Sequence, residues 1–161
     1  MGISLSMVIL VDDDLQTLVP TTIARTGRCW MSEDSAALSD QVWRRGDGLL
    51  LGVGASCLVL VGDTIGFDGR DFFEGVELGV ALYASENHGG ANFVHIYEYG
   101  VRVRVWEETA TGSGDPHPLE VGLDVDTHPF NYVSRVAQQL IGAGLDGVWP
   151  NNFRFLRLHD V

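Results

Sequence analysis

"ENHGGANFVHIYEYGVRVRVWEE", residues 86–108, decides the fold, because valine stands at alternate positions of its later half with arginine or tryptophan between. Alternation with a period of two marks a strand that turns one face to the core. Tyr99–Gly100 is the evident two-residue turn, so the stretch predicts an antiparallel hairpin in which Tyr97 faces Arg102. In that register Ile96 faces Val103 and Val94 faces Val105 on an aliphatic, inward side. Phe93 with Trp106, His95 with Arg104 and Tyr97 with Arg102 then share the other side. A slip of one residue would mix the two sets. Tyr99 is an imperfect turn residue where a type I′ turn wants Asn or Asp, so a bulged variant is the alternative.

The second side is the surface to test. Its three aromatic residues each cover roughly 150–250 Å², and arginine and tryptophan are enriched where partners bind. Phe93, His95, Tyr97, Arg102, Arg104 and Trp106 are therefore the candidate protein-binding residues. The competing reading is structural: a helix or loop covers Phe93 and Trp106, while the arginines stack on Tyr97 or extend to water.

Outward from the hairpin, "VALYAS" (80–85) predicts a further strand, and "RDFFEGVELG" (70–79) a short helix before it. "GLLLGVGASCLVLVGD" (48–63) reads as two short buried strands in a hairpin, separated by Gly52 to Gly54. "SLSMVILV" (4–11) is a strand ending at Asp12, Asp13 and Asp14, which open a helix carrying Leu15, Leu18, Val19 and Ile23 on one side. Pro20 should bend or split that helix. "SEDSAALSDQVWRRG" (32–46) suggests another helix, capped by Ser32 or Asp34 and stopped at Gly46. "TATGSGDPHPLE" (109–120) has the composition of an exposed loop. Thr127 as cap, Pro129 in the first turn and Phe130, Val133, Val136, Ala137, Leu140 and Ile141 at helical spacing predict a helix reaching Gly144. "NFRFLRL" (152–158) closes the chain as a strand. These elements make one α+β domain over 1–161, a mainly antiparallel sheet with helices packed on one face.

At 161 residues and 45% hydrophobic content, the chain can build an ordered core without staples. Its start lacks a basic n-region, and no 18 apolar residues run together, so neither a signal peptide nor a membrane-spanning helix is expected. Cys57, inside "CLVLV", reads as a reduced buried thiol; pairing with Cys29 is the alternative, and a cytoplasmic setting is expected. Ten basic residues, all arginine, against 22 acids leave a formal charge of −12. Such a charge repels nucleic acid and suits a basic protein partner, although acidity also simply keeps a protein soluble.

No motif carries chemistry. "MVILVDDDLQ" resembles the opening of a receiver domain, with Asp63 at a suggestive distance, but that family needs a lysine and the chain has none. "GVGASC" lacks the third glycine of a dinucleotide loop and runs into a strand. His88, His95, His117, His128 and His159 show no paired metal spacing. Asp68, Asp71 and Glu74 in "DGRDFFEG" lack the alternating ligands of a calcium loop. Ser56, Ser85 and Cys57 have no nucleophile-elbow glycines around them. No cofactor or metal is expected.

From Cys57 onward the order of a strand, "TIGFDG", a short helix, "VALYAS", the polar "ENHGGANF", a hairpin turning at glycine, and a helix ending "GAGLD" resembles a family of small actinobacterial proteins of unknown function. The likeness covers residues 57–146 and is one of layout; Asp63, Thr64 and Ile65 replace the family's acidic residue and asparagine, and Tyr99–Gly100 its Asp-Gly turn. It implies the fold, and by analogy an accessory or immunity-type role. The leading expectation is a noncatalytic protein-binding module, in kind an immunity- or antitoxin-like inhibitor of a basic partner. The rival is a small enzyme or ligand-binding domain with a pocket between sheet and helix, near Glu86, Asn87, His88 and Asn92. A homodimer through the 93–106 hairpin is a third.

Overall fold

β1 (Ser4–Val11) is apolar at consecutive positions rather than alternate ones, so both faces of the sheet at its centre need cover. In the computed structural model, which describes residues 4–28, 30–33, 49–62, 71–85, 92–109, 112–124, 126–142, 145 and 153–159, that cover comes from two sides. Met7 and Ile9 point into one cluster and Val8 and Leu10 into another. The further strands are β2 (Trp30–Glu33), β3 (Leu49–Val53), β4 (Cys57–Gly62), β5 (Leu78–Ser85), β6 (Phe93–Glu98), β7 (Val101–Glu107) and β8 (Arg154–His159). They form one sheet in the order β2-β8-β3-β4-β1-β5-β6-β7, every pairing antiparallel.

The class is therefore α+β with a mainly antiparallel sheet, as the sequence led us to expect, but the helices do not share a face. α1 (Leu15–Thr26) buries Leu18, with Leu15, Val19 and Ile23 beside it, on the side of Val8 and Leu10. α2 (Pro129–Ile141) buries Phe130, Val133, Val136, Ala137 and Ile141 on the side of Met7 and Ile9. The reason is legible in "SMVILV" and "CLVLV": a strand apolar on both faces exposes one of them unless each receives a helix.

Local chemistry sets the ends. Asp14 accepts from the Thr17 amide at 3.2 Å and opens α1, while Asp12 accepts from the amides of Asp14 and Glu77. α1 runs through Pro20 unbroken to Gly27, whose φ is 74°. α2 starts at Pro129 after His128, not on a Thr127 cap; the Thr127 hydroxyl bonds Asp124 instead. It stops at Gly142, φ 77°, before Gly144, which lies outside the described residues.

Three more expectations change. Ser32 lies in β2, paired with Arg157 of β8, where a helix cap was expected; residues 34–46 of that helix lie outside the described residues. Residues 72–75 form a turn rather than a helix, and Phe72, Phe73 and Val76 fill the α1-side cluster. The ring of Phe73 lies where a Cβ on Gly79 would stand, 2.2 Å from it, so a side chain at this strand position would displace that ring. Gly52 is strand interior, not turn.

The hairpin forms at Tyr99 (φ 51°) and Gly100 (φ 82°), the left-handed pair a type I′ turn requires. Tyr97 faces Arg102 as expected, but a bulge follows: Ile96 faces Arg104, His95 faces Val105, Val94 faces Trp106 and Phe93 faces Glu107. Val103 is the extra residue. Instead of pointing inward, Val103 is 36% exposed and Val101 64% exposed.

Candidate functional site

The bulge divides the six expected binding residues between the two faces of the sheet. Phe93, His95, Tyr97 and Arg102 stay on the α1 side. There Tyr97 stacks on Phe73 at 4.0 Å, Phe93 packs against Tyr83 and His95, and Arg102 is exposed. His95 Nε2 lies 3.4 Å from Glu107, and burial, helped by the charge of Arg102, holds its pKa below the ordinary 6.5. Arg104 and Trp106 turn to the α2 side with Val94 and Ile96. Trp106 stacks flat on Tyr132 of α2, centroids 4.1 Å apart. The six do not form one surface.

Arg104 enters a buried polar cluster instead. Its Nε donates to both carboxylate oxygens of Glu120 at 3.0 and 3.1 Å, its Nη2 to Oε1 at 3.0 Å and its Nη1 to the Gly114 carbonyl at 2.8 Å. The Tyr132 hydroxyl and the His117 amide donate to Glu120 as well. The Glu120 side chain is 1% exposed and that of Arg104 13%. Burial alone would raise the Glu120 pKa, yet the bonds from Arg104, Tyr132 and His117 together outweigh it and hold the carboxyl below its usual range. Arg104 is likewise raised: burial opposes its charge, and Glu120 more than offsets that. Burial first, then the Glu120 carboxylate, pushes Tyr132 up to about 12.

Glu120 sits in a single 3-10 turn, Pro118–Glu120, on a strap expected to be an exposed loop. The strap seals the outer edge of β7: Val105 and Ser113 exchange both backbone hydrogen bonds, at 2.8 and 2.9 Å. His117 accepts the Leu119 amide through Nδ1, so its Nε2–H is the donor to Glu98 at 2.8 Å. An open sheet edge invites pairing with other chains, and this strap covers it along part of its length.

Between β7, the strap and the first turn of α2 lies an open groove of about 730 Å³, lined by Trp106, Glu107, Glu108, Asp124, Asp126 and Arg104 among others. Thr127, His128 and Pro129 close its helix end. Glu108 is held by Asn92, whose amide nitrogens donate to it, and Asp124 is held by Thr127 and the Asp126 amide. Arg104 is the sole arginine among the described lining residues, and its guanidinium is already spent on Glu120. Asp124 and Asp126 thus stand beside the Trp106 indole in the lining, while the Glu107 carboxylate reaches back to His95 on the α1 side; acids beside an indole suit a cationic guest better than an anionic one.

Of the polar loop expected to line a pocket, residues 86–91 lie outside the described residues; Asn92 is buried and bonded to Ser85 and Glu108. Among the described residues no group of three or more His, Cys, Asp or Glu side chains is arranged to hold a metal ion, and no helix is long and apolar enough to cross a membrane. Cys57 is buried against the Leu140 carbonyl, and burial raises its pKa to about 11. Glu107, Glu108, Asp124 and Asp126 were missed as a group. "WEE" and "DVD" were visible as acids, but only the packing of α2 against β7 brings them to one groove. Comparison with known protein families, curated proteins and solved structures finds no match.

Proposed function

We propose that the protein is a noncatalytic, acidic protein-binding module, in kind an immunity- or antitoxin-like inhibitor, and that its groove takes a basic segment of a partner protein. The observation that carries this reading is the groove itself: Trp106 lines it with Glu108, Asp124 and Asp126, and Arg104, the one arginine among the described lining residues, is bonded to Glu120 behind it. An arginine or lysine side chain entering it gains cation–π contact with the indole and charge pairing with the rim. The formal charge of −12 speeds the approach of such a partner. This surface replaces the divided hairpin face as the place of contact.

The test is a titration of a fluorescent arginine-rich peptide at low ionic strength, with a glutamate-rich peptide beside it. Binding of the first only, weakened in the Asp124→Asn/Asp126→Asn protein but not in the charge-matched Asp13→Asn/Glu74→Gln protein, is the expected result. Equal weakening in both would reduce the effect to overall charge and remove the reading.

A second reading uses the same cavity. Its place between sheet edge and helix, and its volume within the roughly 300–1,000 Å³ of ligand pockets, suit a small-ligand-binding domain. Thermal stabilisation by small organic amines, with no affinity for the peptide, would favour it.

A further inference from the structure

β7 is the last strand in the sheet order and carries three β-branched residues, Val101, Val103 and Val105. Val101 is 64% exposed, and Arg102 is exposed as well. An edge of this kind is a template for another strand. Residues 112–116 of the strap cover its second half in the manner of a strand: Ser113 and Val105 form an antiparallel bridge and exchange both backbone bonds. The glycines on either side of Ser113 permit that approach. A Cβ on Gly112 would run into the Val105 carbonyl oxygen and one on Gly114 into that of Val103, so a side chain at either position would push the strap off the edge. Beyond Pro116 the strap is anchored, with Glu120 buried and Leu119 and Leu123 packed against the α2-side cluster. Before His117 it is not: Ser113, Gly114, Asp115 and Pro116 are exposed, held to β7 by the two bonds with Val105 and one from Arg104 Nη1 to the Gly114 carbonyl.

We infer that residues 112–116 are an autoinhibitory edge cover: while they lie on Val103 and Val105 the accessible edge is too short to pair, and when they lift, β7 pairs antiparallel with β7 of a second copy of the chain. A twofold axis brings two identical edges together in the antiparallel sense, which the strap imitates and which every strand pair of the sheet already has. Lifting the cover frees the backbone groups of Val105 and extends the accessible edge from Val101 through Val105, a strand of ordinary length. Pro118–Glu120 stays in place, so the Glu120 cluster and the core beneath it are untouched. The formal charge of −12 on each copy opposes the contact, which therefore strengthens as salt screens the repulsion. Nothing in this device depends on what the groove binds.

The experiment measures the mass of the full chain by sedimentation velocity at rising salt, and amide exchange at Val105 by nuclear magnetic resonance. Gly112→Ala/Gly114→Ala lifts the cover by steric conflict, and Ser113→Pro lifts it by deleting the amide that donates to Val105. In both, Val105 exchange is expected to quicken about tenfold or more, and the mass to reach that of a dimer as salt rises, while the parent remains a monomer. Gly122→Ala imposes the same left-handed strain as Gly114→Ala, φ being 81° at both positions, but its methyl meets nothing within 4 Å; it stays a monomer with Val105 protected. Adding Val101→Lys to either cover variant sets like charges on the paired edges at an exposed position and returns the mass to that of a monomer. Circular dichroism establishes that each variant is folded; should the double glycine variant not fold, Ser113→Pro carries the test. A folded cover variant whose Val105 exchanges freely but whose mass stays monomeric overturns the inference. So does a dimer that Val101→Lys leaves intact, an equal rise in mass in Gly122→Ala, a Val105 amide protected in both cover variants, or a parent that is itself a dimer.

Discussion

The Arg104–Glu120 pair makes a quantitative stability prediction. Glu120→Gln removes the countercharge of a guanidinium that is 13% exposed, and Arg104→Met leaves a carboxylate that is 1% exposed with only Tyr132 and the His117 amide as donors. Breaking one side of a buried pair costs about 3–5 kcal/mol. Here the survivor keeps other bonds, Arg104 to Gly114 and Glu120 to its two remaining donors, so about 2–3 kcal/mol is expected for each single variant. Removing both charges leaves no uncompensated ion, and the double variant should lose only about 1–2 kcal/mol, a coupling of about 2–5 kcal/mol. Urea unfolding followed by far-ultraviolet circular dichroism measures all four proteins, and a typical total of about 5–15 kcal/mol keeps each of them folded. Acid titration gives the sign independently. The folded Glu120 pKa lies below its ordinary 4.5, so its contribution is present above that value and lost as pH falls through the lower, folded one. His95, also lowered from its ordinary 6.5, acts in the same direction from a higher starting point. The parent should therefore lose stability on acidification in two stages, and Glu120→Gln should lack the lower one. Additive single-variant losses, or a Glu120→Gln acid curve parallel to the parent's, would refute the idea that Glu120 is a charged partner of Arg104.

Three further outcomes follow from local geometry. Gly79→Ala drives a methyl into the Phe73 ring, which is 6% exposed and pinned against Tyr97, and should cost about 1–3 kcal/mol in a urea melt. Tyr99→Asn relieves a 72% exposed side chain from a left-handed backbone and should raise stability by about 0.5–1 kcal/mol, read as a higher melting temperature. Cys57, buried and with its pKa raised to about 11, should resist alkylation at mildly alkaline pH until denaturant unfolds the chain, as peptide mass spectrometry of that residue would establish.

What the sequence disclosed was whatever depends on neighbours along the chain. The Tyr99–Gly100 turn, the 3.6-residue spacing of α2, the Asp14 cap and the apolar runs of β1 and β4 are all local patterns, and all form. The strand at Trp30–Glu33 was read in part as a helix start because its reason is remote: β8, at the far end of the chain, supplies its hydrogen bonds. "RDFFEGVELG" reads as a short helix, whereas the tight contact of Phe73 on Gly79 that shapes it as a turn belongs to tertiary packing. The candidate site was legible only as ingredients. Arg104 and Trp106 stand out in the sequence, but the pattern of alternating valine and arginine cannot reveal at which valine the register shifts.

That shift has an energetic cause which a pairing rule alone omits. In a regular ladder Val103 and Val105 would lie on the α2 side, and Arg104 and Trp106 on the other. Two valines would gain burial, worth about 1.5–3 kcal/mol each. Against this, Glu120 would be buried without a cation and Tyr132 would lose its stacked indole, penalties of about 3–5 and 0.5–1.5 kcal/mol. The two arrangements are close enough that the balance is decided by residues 16 and more positions away, in the strap and α2, rather than by the hairpin. The bulge also decides which hairpin side chains border the groove. One inserted residue turns Arg104 towards Glu120 and carries Trp106 to the α2 side, which leaves the acidic rim facing solvent around an indole. The same valine that spoils the amphipathic strand is what separates the cation of the hairpin from the anions of the groove.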